Sequence, residues 1–463
     1  MPITCVNNSL SLFVIGTPLT TRRKNNQGGF MISIKNKYHT CLYHTHLKIF
    51  LFYLPLILFA GCTALQSSTA NKIKGISSHH CSSYTPERII LNLTATPFKS
   101  QAVTWRTSNR VKLPKAQITT LTDHCVNLKK DMRTITALSQ KVNIRKDKSV
   151  YHYSVIFNNL KPDTIYTYRV GAAGNFSEWN QFKTASKKHK PFKFIYLGDP
   201  QNQIKSMCSQ IFRAAYKKAP TAAFWLFAGD LVNNGDNDEE WDELFYGFGF
   251  IPRMTPMILL PGNHEYPDKR YIHGKDLKLS YLWRPHFTLP ENGPAGLEES
   301  VYFIDFQEVR FVMLNGNEKL EEQSVWLNKI LSENPQKWTI VAIHQPVYST
   351  AKFRKNPKIK NLLSPVFDKY LVDLVLQGHE HSYSRTFKIN NGTRVKKDEK
   401  GIIYVISVCG PKFYSIRTNT EKLMAKAESG RQLFQVIHID HGNLLFEAFD
   451  LRGDLYDSFQ LKK

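Results

Sequence analysis

Acidic residues are absent before position 62, and the 463-residue chain has only seven cysteines. The cysteines are too widely spaced for a zinc finger, and no helix-turn-helix or RNA-recognition pattern is present. These absences exclude sequence-reading of nucleic acid as a function. No apolar run is long enough for a comfortable membrane span, and no segment suggests a partner protein.

Basic residues are in clear excess, with 62 Lys and Arg against 38 Asp and Glu and a formal net charge of +24. Six of these cations precede position 62, so loss of that segment would leave a charge of +18. A basic surface favours anionic substrates or lipid head groups. Solubility charge explains most of these lysines equally well.

The first 62 residues have the pattern of an export leader. A basic stretch precedes an apolar run at 49–59, whose length is typical of a signal peptide, and Met31 is an alternative start. Phe59-Ala60-Gly61-Cys62 resembles a bacterial lipobox. We therefore expect an exported protein in the bacterial periplasm or at the cell surface, anchored by acyl chains on Cys62. A plain secretory signal is the alternative.

The rest of the chain divides into regions with different patterns. Residues 63–82 are rich in small polar residues and predict a tether. From 83 to 185 apolar residues alternate without any helical stretch, which predicts an all-β sandwich. After a polar linker, strands alternate with helical stretches over 192–463, which predicts an α/β layered domain.

Four cysteines lie beyond Cys62. Cys81 and Cys125 could pair in an oxidising compartment. We expect Cys208 and Cys409 to be small core residues, because their spacing fits no metal site.

Five short apolar runs in the α/β region end in side chains that bind metals. Ligands of such sheets gather outside the carboxyl ends of the strands, so the five blocks should meet. Singly, each block could be a helix cap or an ordinary core histidine. Together they offer two carboxylates, one amide oxygen and three imidazoles, which suits a pair of first-row metal ions. These residues are Asp199, Asp230, Asn263, His344, His379 and His381.

The five blocks resemble those of calcineurin-like metallophosphoesterases, and the preceding sandwich, which looks like a fibronectin type III domain, is similar to that of the purple acid phosphatase branch. The resemblance implies a hydrolase of the acid phosphatase type that cleaves phosphate monoesters with a dinuclear centre and a metal-bound hydroxide. It implies that Asp230 bridges the metals. It also assigns Asp199 and His381 to the first metal, Asn263, His344 and His379 to the second, and a catalytic role at the phosphate or leaving group to His264.

Two positions depart from that family. Asn233 stands where purple acid phosphatases place the tyrosine that binds ferric iron, and Gln201 stands where other branches place a histidine. Either amide is a possible extra metal ligand. Loss of the phenolate argues against a ferric tyrosinate, so we expect two divalent ions of iron, manganese or zinc. Lys352 and Arg354 are possible substrate ligands, or simply part of a solvated basic loop.

These features leave alternatives open. A phosphodiesterase or a lipid phosphatase could use the same centre, and the departures at 201 and 233 also fit a surface binding protein with a weakened catalytic site. The expected partners are a small phosphorylated substrate and, through the lipid anchor, a membrane.

Overall fold

The structure, a computed structural model, describes residues 83–122, 131–266, 278–352, 354–417 and 422–463. The predicted leader and tether lie outside these ranges, as do Cys62, Cys81 and Cys125. In the part of the chain that is described, no helix is long and apolar enough to cross a membrane. Cys208 and Cys409 are buried free thiols, as expected from the sequence.

The first described region is all β, as the alternating pattern predicts. Its strands are β1 (Glu87–Asn92), β2 (Gln101–Thr107), β3 (Lys115–Thr120), β4 (Arg133–Thr136), β5 (Leu138–Arg145), β6 (Lys148–Phe157), β7 (Ile165–Ala172), β8 (Asn175–Phe176) and β9 (Asn180–Lys183).

These strands form two sheets that enclose one apolar core. Strands β1, β2, β6 and β5 belong to one sheet, and β4, β3, β7, β8 and β9 to the other. Trp105 and Tyr153 from the first sheet share the core with Tyr168 from the second. The Tyr166 hydroxyl accepts the Lys161 N–H at 2.7 Å, which fixes the corner before β7. The predicted sandwich is therefore confirmed.

The second region has the strands β10 (Phe192–Leu197), β11 (Trp225–Phe227), β12 (Met257–Leu259), β13 (Tyr302–Phe306), β14 (Val309–Leu314), β15 (Trp338–Ile343), β16 (Leu374–Gln377), β17 (Ser382–Thr386), β18 (Ile389–Asn390), β19 (Thr393–Arg394), β20 (Ile403–Ile406), β21 (Met424–Ser429), β22 (Leu433–Asp440), β23 (Asn443–Asp450) and β24 (Leu455–Lys462). Its helices are a π-helical turn (Ile204–Cys208), α1 (Ser209–Lys218), α2 (Asp238–Phe248), α3 (Ile251–Met254), α4 (Trp283–His286), α5 (Leu320–Ser332) and α6 (Pro357–Tyr370).

Two sheets pack face to face in this region. Strands β10, β11 and β12 run parallel in one, and β14, β15, β16 and β20 run parallel in the other. Phe194 and Phe311, one from each sheet, meet edge to face with ring centroids 5.2 Å apart. Helices α1 and α2 pack on the first sheet, and α5 and α6 on the second. This arrangement confirms the predicted α/β layered domain.

The sandwich is continuous with the α/β domain through β1. This strand pairs antiparallel with β2 and parallel with β12, so one sheet of ten strands spans both regions. The Asn92 side chain stabilises this junction. Its Nδ2 donates to the Met257 carbonyl at 3.2 Å, and its Oδ1 accepts the Thr288 N–H at 3.1 Å. The sandwich is thereby fixed to the strands that carry the polar blocks.

A buried charged cluster lies at this junction. Arg88 and Arg106 donate to the Asp238 carboxylate at 2.7 and 2.8 Å, and His286 Nε2 lies 2.9 Å from Arg88 Nη1. The His152 ring stands edge-on to that of His286 at 4.8 Å. Burial holds the pKa of His286 well below its ordinary value and lowers that of His152 to about 3. We call these five residues the arginine cluster.

Candidate metal centre

All five polar blocks lie at the carboxyl ends of parallel strands. Asp199 follows β10, Asp230 follows β11 and Asn263 follows β12, while His344 follows β15 and His379 follows β16. Because the two sheets face each other, the loops from both converge on one edge. We call Asp199, Asp230, Asn263, His344, His379 and His381 the metal cluster.

Four members of the metal cluster have backbones in the left-handed region that non-glycine residues rarely adopt. Asp199 has φ 50°, Asp230 51°, His379 73° and His381 47°. Such conformations cost about 1–3 kcal/mol each and persist where the surroundings hold them. They aim side chains from two separate sheets at one point.

Two glycines that directly precede members of the metal cluster leave no room for a side chain. A Cβ on Gly262 would lie 2.1 Å from Asp230 Oδ1, and one on Gly378 would lie 2.5 Å from Asp199 Oδ2. Each glycine therefore lets a neighbouring loop approach a carboxylate of the cluster directly.

Glu265 holds two of the loops together. Its buried carboxylate accepts the backbone N–H groups of Asp230 at 2.9 Å, Leu231 at 2.7 Å and Gly262 at 2.7 Å. It therefore fixes the left-handed turn at Asp230. Glu265 comes directly after Asn263 and His264 in the sequence, and only the structure shows its supporting role.

Glu380 supports the other side of the cluster in the same way. Its side chain is buried and accepts the N–H of Thr350 at 2.6 Å and of Ala351 at 2.9 Å. The alternation around Glu380 thus points His379 and His381 to the cluster and the carboxylate to the loop that follows β15. This loop is held where Arg354 can reach the site.

The ligand atoms of the metal cluster form two groups that share one carboxylate. Asp199, Asp230 and His381 offer donor atoms within 4.8 Å of one another, and so do Asp230, His344 and His379. His344 Nε2 lies 3.0 Å from Asp230 Oδ2 and 3.2 Å from His379 Nδ1. Two adjoining three-donor groups with a common carboxylate are the geometry that a pair of bridged ions requires.

Hydrogen bonds set the nitrogen that His344 presents. Its Nδ1 lies 2.7 Å from the Ala228 carbonyl, which can only accept, so Nδ1 carries a proton and Nε2 faces the carboxylates. Burial opposes a charged imidazole here, but Asp230 and Asp199 outweigh burial and raise the pKa of His344 to about 9. A metal cation would take the place of that second proton.

The other two imidazoles stay neutral. Burial lowers the pKa of His379 to about 2 and that of His381 to about 3. A neutral imidazole has the free lone pair that a metal requires, so both are ready to bind a cation near neutral pH.

Unpaired buried atoms test whether the residues fit a pair of metals. Asn263 Oδ1, His381 Nδ1 and Gln201 Oε1 are buried and have no hydrogen-bond partner among the described residues. A buried oxygen without a partner costs about 1–3 kcal/mol. Asn263 lines the same cleft as His379, so a metal at the second three-donor group would remove that cost for Asn263 Oδ1, and the donor set fits.

The structure separates the two candidate extra ligands. Gln201 is fully buried, with Nε2 2.9 Å from Asp230 Oδ2 and 3.0 Å from His381 Nε2. A half-turn of its amide would present Oε1 to the same pair of residues. Asn233 is exposed instead, and its Oδ1 accepts from Asn202 Nδ2 at 3.1 Å. Gln201 therefore lies in the first three-donor group and Asn233 lies at its rim.

His264 stands at the mouth of the cluster. Its backbone N–H donates to Asp230 Oδ1 at 2.8 Å, and its Nδ1 lies 2.6 Å from the Asn233 carbonyl. Since that carbonyl accepts, Nδ1 is the donor and Nε2 faces the cluster, 4.0 Å from Asp230 Oδ2. The side chain is partly exposed, so a bound molecule can reach Nε2.

A basic cleft opens beside the second three-donor group. It has a volume of about 600 Å³, and Asn263, His379, Lys319, Arg354 and Lys355 are among the residues that line it. It is the space next to the cluster that a ligand could occupy, and its cations favour an anionic one.

Arg354 and Lys352 differ in their placement. Arg354 Nη1 lies 2.5 Å from His379 Nε2, and its guanidinium packs 4.6 Å from the Tyr414 ring centroid. Lys352 is exposed, with its backbone N–H donating to the Ser415 carbonyl at 3.1 Å, and it is not part of the lining of the cleft. Of these two predicted substrate ligands, the structure brings only Arg354 to the metal cluster.

Two family models match the chain in adjacent ranges. The model for the purple acid phosphatase N-terminal domain matches residues 86–184, and that for calcineurin-like phosphoesterases matches residues 192–383. The first range holds the sandwich, and the second begins at β10 and ends just after the last member of the metal cluster.

Relatives of known sequence agree with these matches. The chain is 26% identical to a probable purple acid phosphatase 20 of Arabidopsis thaliana over 65% of this chain and 71% of that protein. It is 26% identical to purple acid phosphatase 18 of the same plant, over 55% of this chain and 56% of that protein. It is also 27% identical to the human acid phosphatase type 7, over 53% of this chain and 59% of that protein.

Solved structures share the fold. A purple acid phosphatase from yellow lupin seeds superposes with a TM-score of 0.67 at 19% identity, covering 82% of this chain and 74% of that one. The structure of PhoD gives a TM-score of 0.60 at 12% identity, covering 83% and 92%. These structures show the shared fold, and the two family models and the sequence relatives identify a metal-dependent hydrolase of the acid phosphatase type. The chain is therefore a purple acid phosphatase-like metallophosphoesterase of the calcineurin type.

Proposed function

We propose that the protein hydrolyses phosphate monoesters at a dinuclear centre held by the metal cluster. The observation that carries this proposal is the sharing of Asp230 between two three-donor groups. One shared carboxylate between two cation positions suits the in-line displacement at phosphorus that two-metal sites catalyse.

The first metal position is formed by Asp199, Asp230 and His381, with the amide of Gln201 as a neutral fourth ligand. The second is formed by Asp230, His344 and His379, with Asn263 Oδ1 completing it. No tyrosinate is part of either set, so divalent manganese, zinc or iron is the expected occupant. When bound, the two ions supply Lewis acidity at the phosphoryl group and a nucleophile at neutral pH.

His264 is the residue that we assign to the leaving group. Its Nδ1 is held by the Asn233 carbonyl, so the proton that it can gain or lose is at Nε2 on the face of the cluster. In the protonated state, Nε2–H donates to the phosphoryl oxygens or to the departing alkoxide.

Arg354 is the residue that we assign to substrate binding. Its guanidinium lies between His379 and the Tyr414 ring at the edge of the basic cleft. A planar guanidinium binds phosphate oxygens through two parallel N–H donors. An ionic hydrogen bond of this kind contributes about 1.5–3 kcal/mol, so Arg354→Ala should raise KM at least about tenfold. Lys352→Ala is the matched control, because Lys352 lies on the same loop outside the cleft.

The test of the proposed function is turnover of an aryl phosphate monoester and of the matching diaryl diester by the purified protein. We expect faster hydrolysis of the monoester, loss of activity with a chelator, and recovery with Mn²⁺ or Zn²⁺. Faster cleavage of the diester would make the protein a phosphodiesterase. Two bound metals without hydrolysis of either compound would make it a binding protein.

The cellular localisation of the protein is a separate part of the proposal. We propose export to the bacterial cell surface or periplasm and anchoring through acyl chains on Cys62, supported by the basic and apolar pattern at 31–62. Cys62→Ser should then release the protein from the membrane fraction. Membrane retention of a Cys62→Ser protein whose signal has been cleaved would contradict the anchor.

A further inference from the structure

A second cluster of metal-binding side chains lies away from the metal cluster. His189 comes from the linker between the sandwich and β10, Glu308 from the turn between β13 and β14, and His441 from the turn between β22 and β23. Their donor atoms lie within 4.8 Å of one another. Three segments that are far apart in sequence thus converge at one point of the surface.

The imidazoles of His189 and His441 both face the Glu308 carboxylate with their Nδ1 atoms. His189 Nδ1 lies 2.9 Å from Glu308 Oε1, and His441 Nδ1 lies 3.1 Å from Glu308 Oε2. The two ring centroids are 5.1 Å apart. Two nitrogens and a carboxylate oxygen that face a common centre are three donors of a tetrahedral site.

Asp440 occupies the other side of the His189 ring. Its Oδ1 lies 3.6 Å from His189 Nε2, opposite the nitrogen that faces Glu308. This distance is longer than a hydrogen bond, so Asp440 would have to move closer to accept from Nε2–H when an ion takes the lone pair of Nδ1. Histidines that bind zinc commonly have such a carboxylate behind the ring.

Hydrogen bonds hold all three segments in place before any ion binds. The Lys190 N–H donates to Gln307 Oε1 at 2.6 Å, which ties the linker to the turn that carries Glu308. The Trp338 indole N–H donates to the His441 carbonyl at 2.7 Å. These bonds hold the donors in place, so an ion would not bear the full cost of ordering three loops.

We propose that His189, Glu308 and His441 form a mononuclear Zn²⁺ site, with water as the fourth ligand and Asp440 orienting His189. Two imidazoles and one carboxylate are a donor set that zinc binds in proteins, and an exposed site leaves the fourth position to water. The ion joins the linker at 185–191 to hairpins of both sheets. It therefore stabilises the contact between the sandwich and the α/β domain, and it takes no part in hydrolysis.

A histidine–glutamate pair in the same β22–β23 hairpin shows how a simple ion pair differs from the proposed metal site. His438 Nε2 lies 3.2 Å from Glu447 Oε2, and this pair is one imidazole on one carboxylate between neighbouring strands. It lacks the second imidazole that converges on Glu308. His438→Ala is therefore the matched control for removal of a partly exposed histidine from the same hairpin.

The test is the number of zinc ions bound per full-length chain after equilibration with Zn²⁺ and removal of the free ion. We expect one ion fewer in His189→Ala and in His441→Asn than in the wild type, and no change in His438→Ala. Asn is used at 441 because the backbone there has φ 48°, a conformation that Asn tolerates. Equal zinc content in the wild type and both variants would overturn the proposal.

A second readout separates this site from the dinuclear centre. Co²⁺ in a tetrahedral nitrogen and oxygen site absorbs in the visible, and a titration of wild type against His189→Ala should give a difference band equivalent to one ion. Hydrolysis of the aryl monoester should stay unchanged in this variant. Because the result is a difference of one ion, it stands or fails independently of whether the metal cluster hydrolyses phosphate esters. Absence of a difference band would also overturn the proposal.

Discussion

Among the described residues, the arginine cluster and the metal cluster are both buried and polar, but their charges are balanced in opposite ways. In the arginine cluster, the charge of Asp238 is met by the guanidinium groups of Arg88 and Arg106, all supplied by the chain itself. In the metal cluster, Asp199 and Asp230 are buried with imidazoles and without a lysine or arginine in ion-pair contact among the described residues.

The difference supports the proposal that the arginine cluster stabilises the fold and that the metal cluster binds cations. Without metal, the carboxylates of the metal cluster keep a second proton on His344, whose pKa they raise to about 9. Asn263 Oδ1 stays unpaired, and Asp230 keeps a strained backbone. An unpaired buried oxygen, a strained backbone and a histidine that the carboxylates hold in its charged form are what the proposed metal ions would relieve.

The sharpest test of this comparison removes the shared carboxylate. Asp230→Asn should lower hydrolysis at least about 10³-fold, because charge stabilisation by bound metals is worth several kcal/mol. It should also lower the content of both metals. Steady-state kinetics and elemental analysis check this, and a variant with full activity and both metals would disprove the shared bridge.

The reciprocal test removes the acid of the other cluster. Asp238→Asn removes the carboxylate that the buried Arg88 and Arg106 share and leaves each with one acid that is more exposed, Asp242 or Glu87. Removing one partner of a buried ion pair typically costs about 3–5 kcal/mol of stability, and the remaining acids should reduce this loss. The metal content and kcat should remain at the wild-type level at temperatures where the variant is folded. Urea unfolding measures the loss. A variant as stable as the wild type would show that the arginine cluster does not stabilise the junction.

Acid should act on the arginine cluster through its histidines. His152 is buried and neutral with a folded pKa of about 3, whereas an unfolded histidine has a pKa of about 6.5. Below pH 6.5 the His152 imidazole therefore binds a proton in the unfolded chain but not in the folded one. As a result, the free energy of unfolding falls as the pH falls. For His152 the loss at pH 5 is about 2 kcal/mol. Urea midpoints at pH 7 and 5 measure it in metal-free protein, and His152→Gln should show a smaller drop. An equal fall of the urea midpoint in the wild type and in His152→Gln would show that His152 does not cause the loss of stability.

The smallest expected effect is optical and concerns the first metal position. With the exposed Asn233 in the place of the family's tyrosine, the metal-loaded protein should be colourless or only faintly coloured. Asn233→Tyr adds a phenolate donor and should increase the share of bound ferric iron and produce a visible band. Absorption spectra after loading with iron compare the two. A strongly purple wild-type protein with ferric iron would show that another tyrosine reaches the metal.

The sequence predicted the architecture because both periodic patterns are local. Alternation marked the sandwich, and the apolar runs that end in Asp199, Asp230 or His344 marked the strand ends. Pairing of β1 with β12 was not predictable, because it depends on a contact between Asn92 and Met257 that no local pattern encodes.

The site shows the same limit. The five blocks were visible as motifs, whereas the support from Glu265 and Glu380 depends on burial and on backbone donors from other loops. The sequence also could not rank Gln201 against Asn233, since only the folded chain shows that one amide is buried beside His381 and the other faces Asn202. The meeting of His189, Glu308 and His441 likewise depends on tertiary structure alone.

Anomalous diffraction from a crystal loaded with Mn²⁺ or Zn²⁺ tests the central claim most directly. The account predicts two peaks about 3.5–4 Å apart in the metal cluster, with the Asp230 carboxylate between them. One peak should contact Asp199 and His381, and the other Asn263, His344 and His379. A single peak in the cluster, or two peaks that do not share Asp230, would contradict the dinuclear centre.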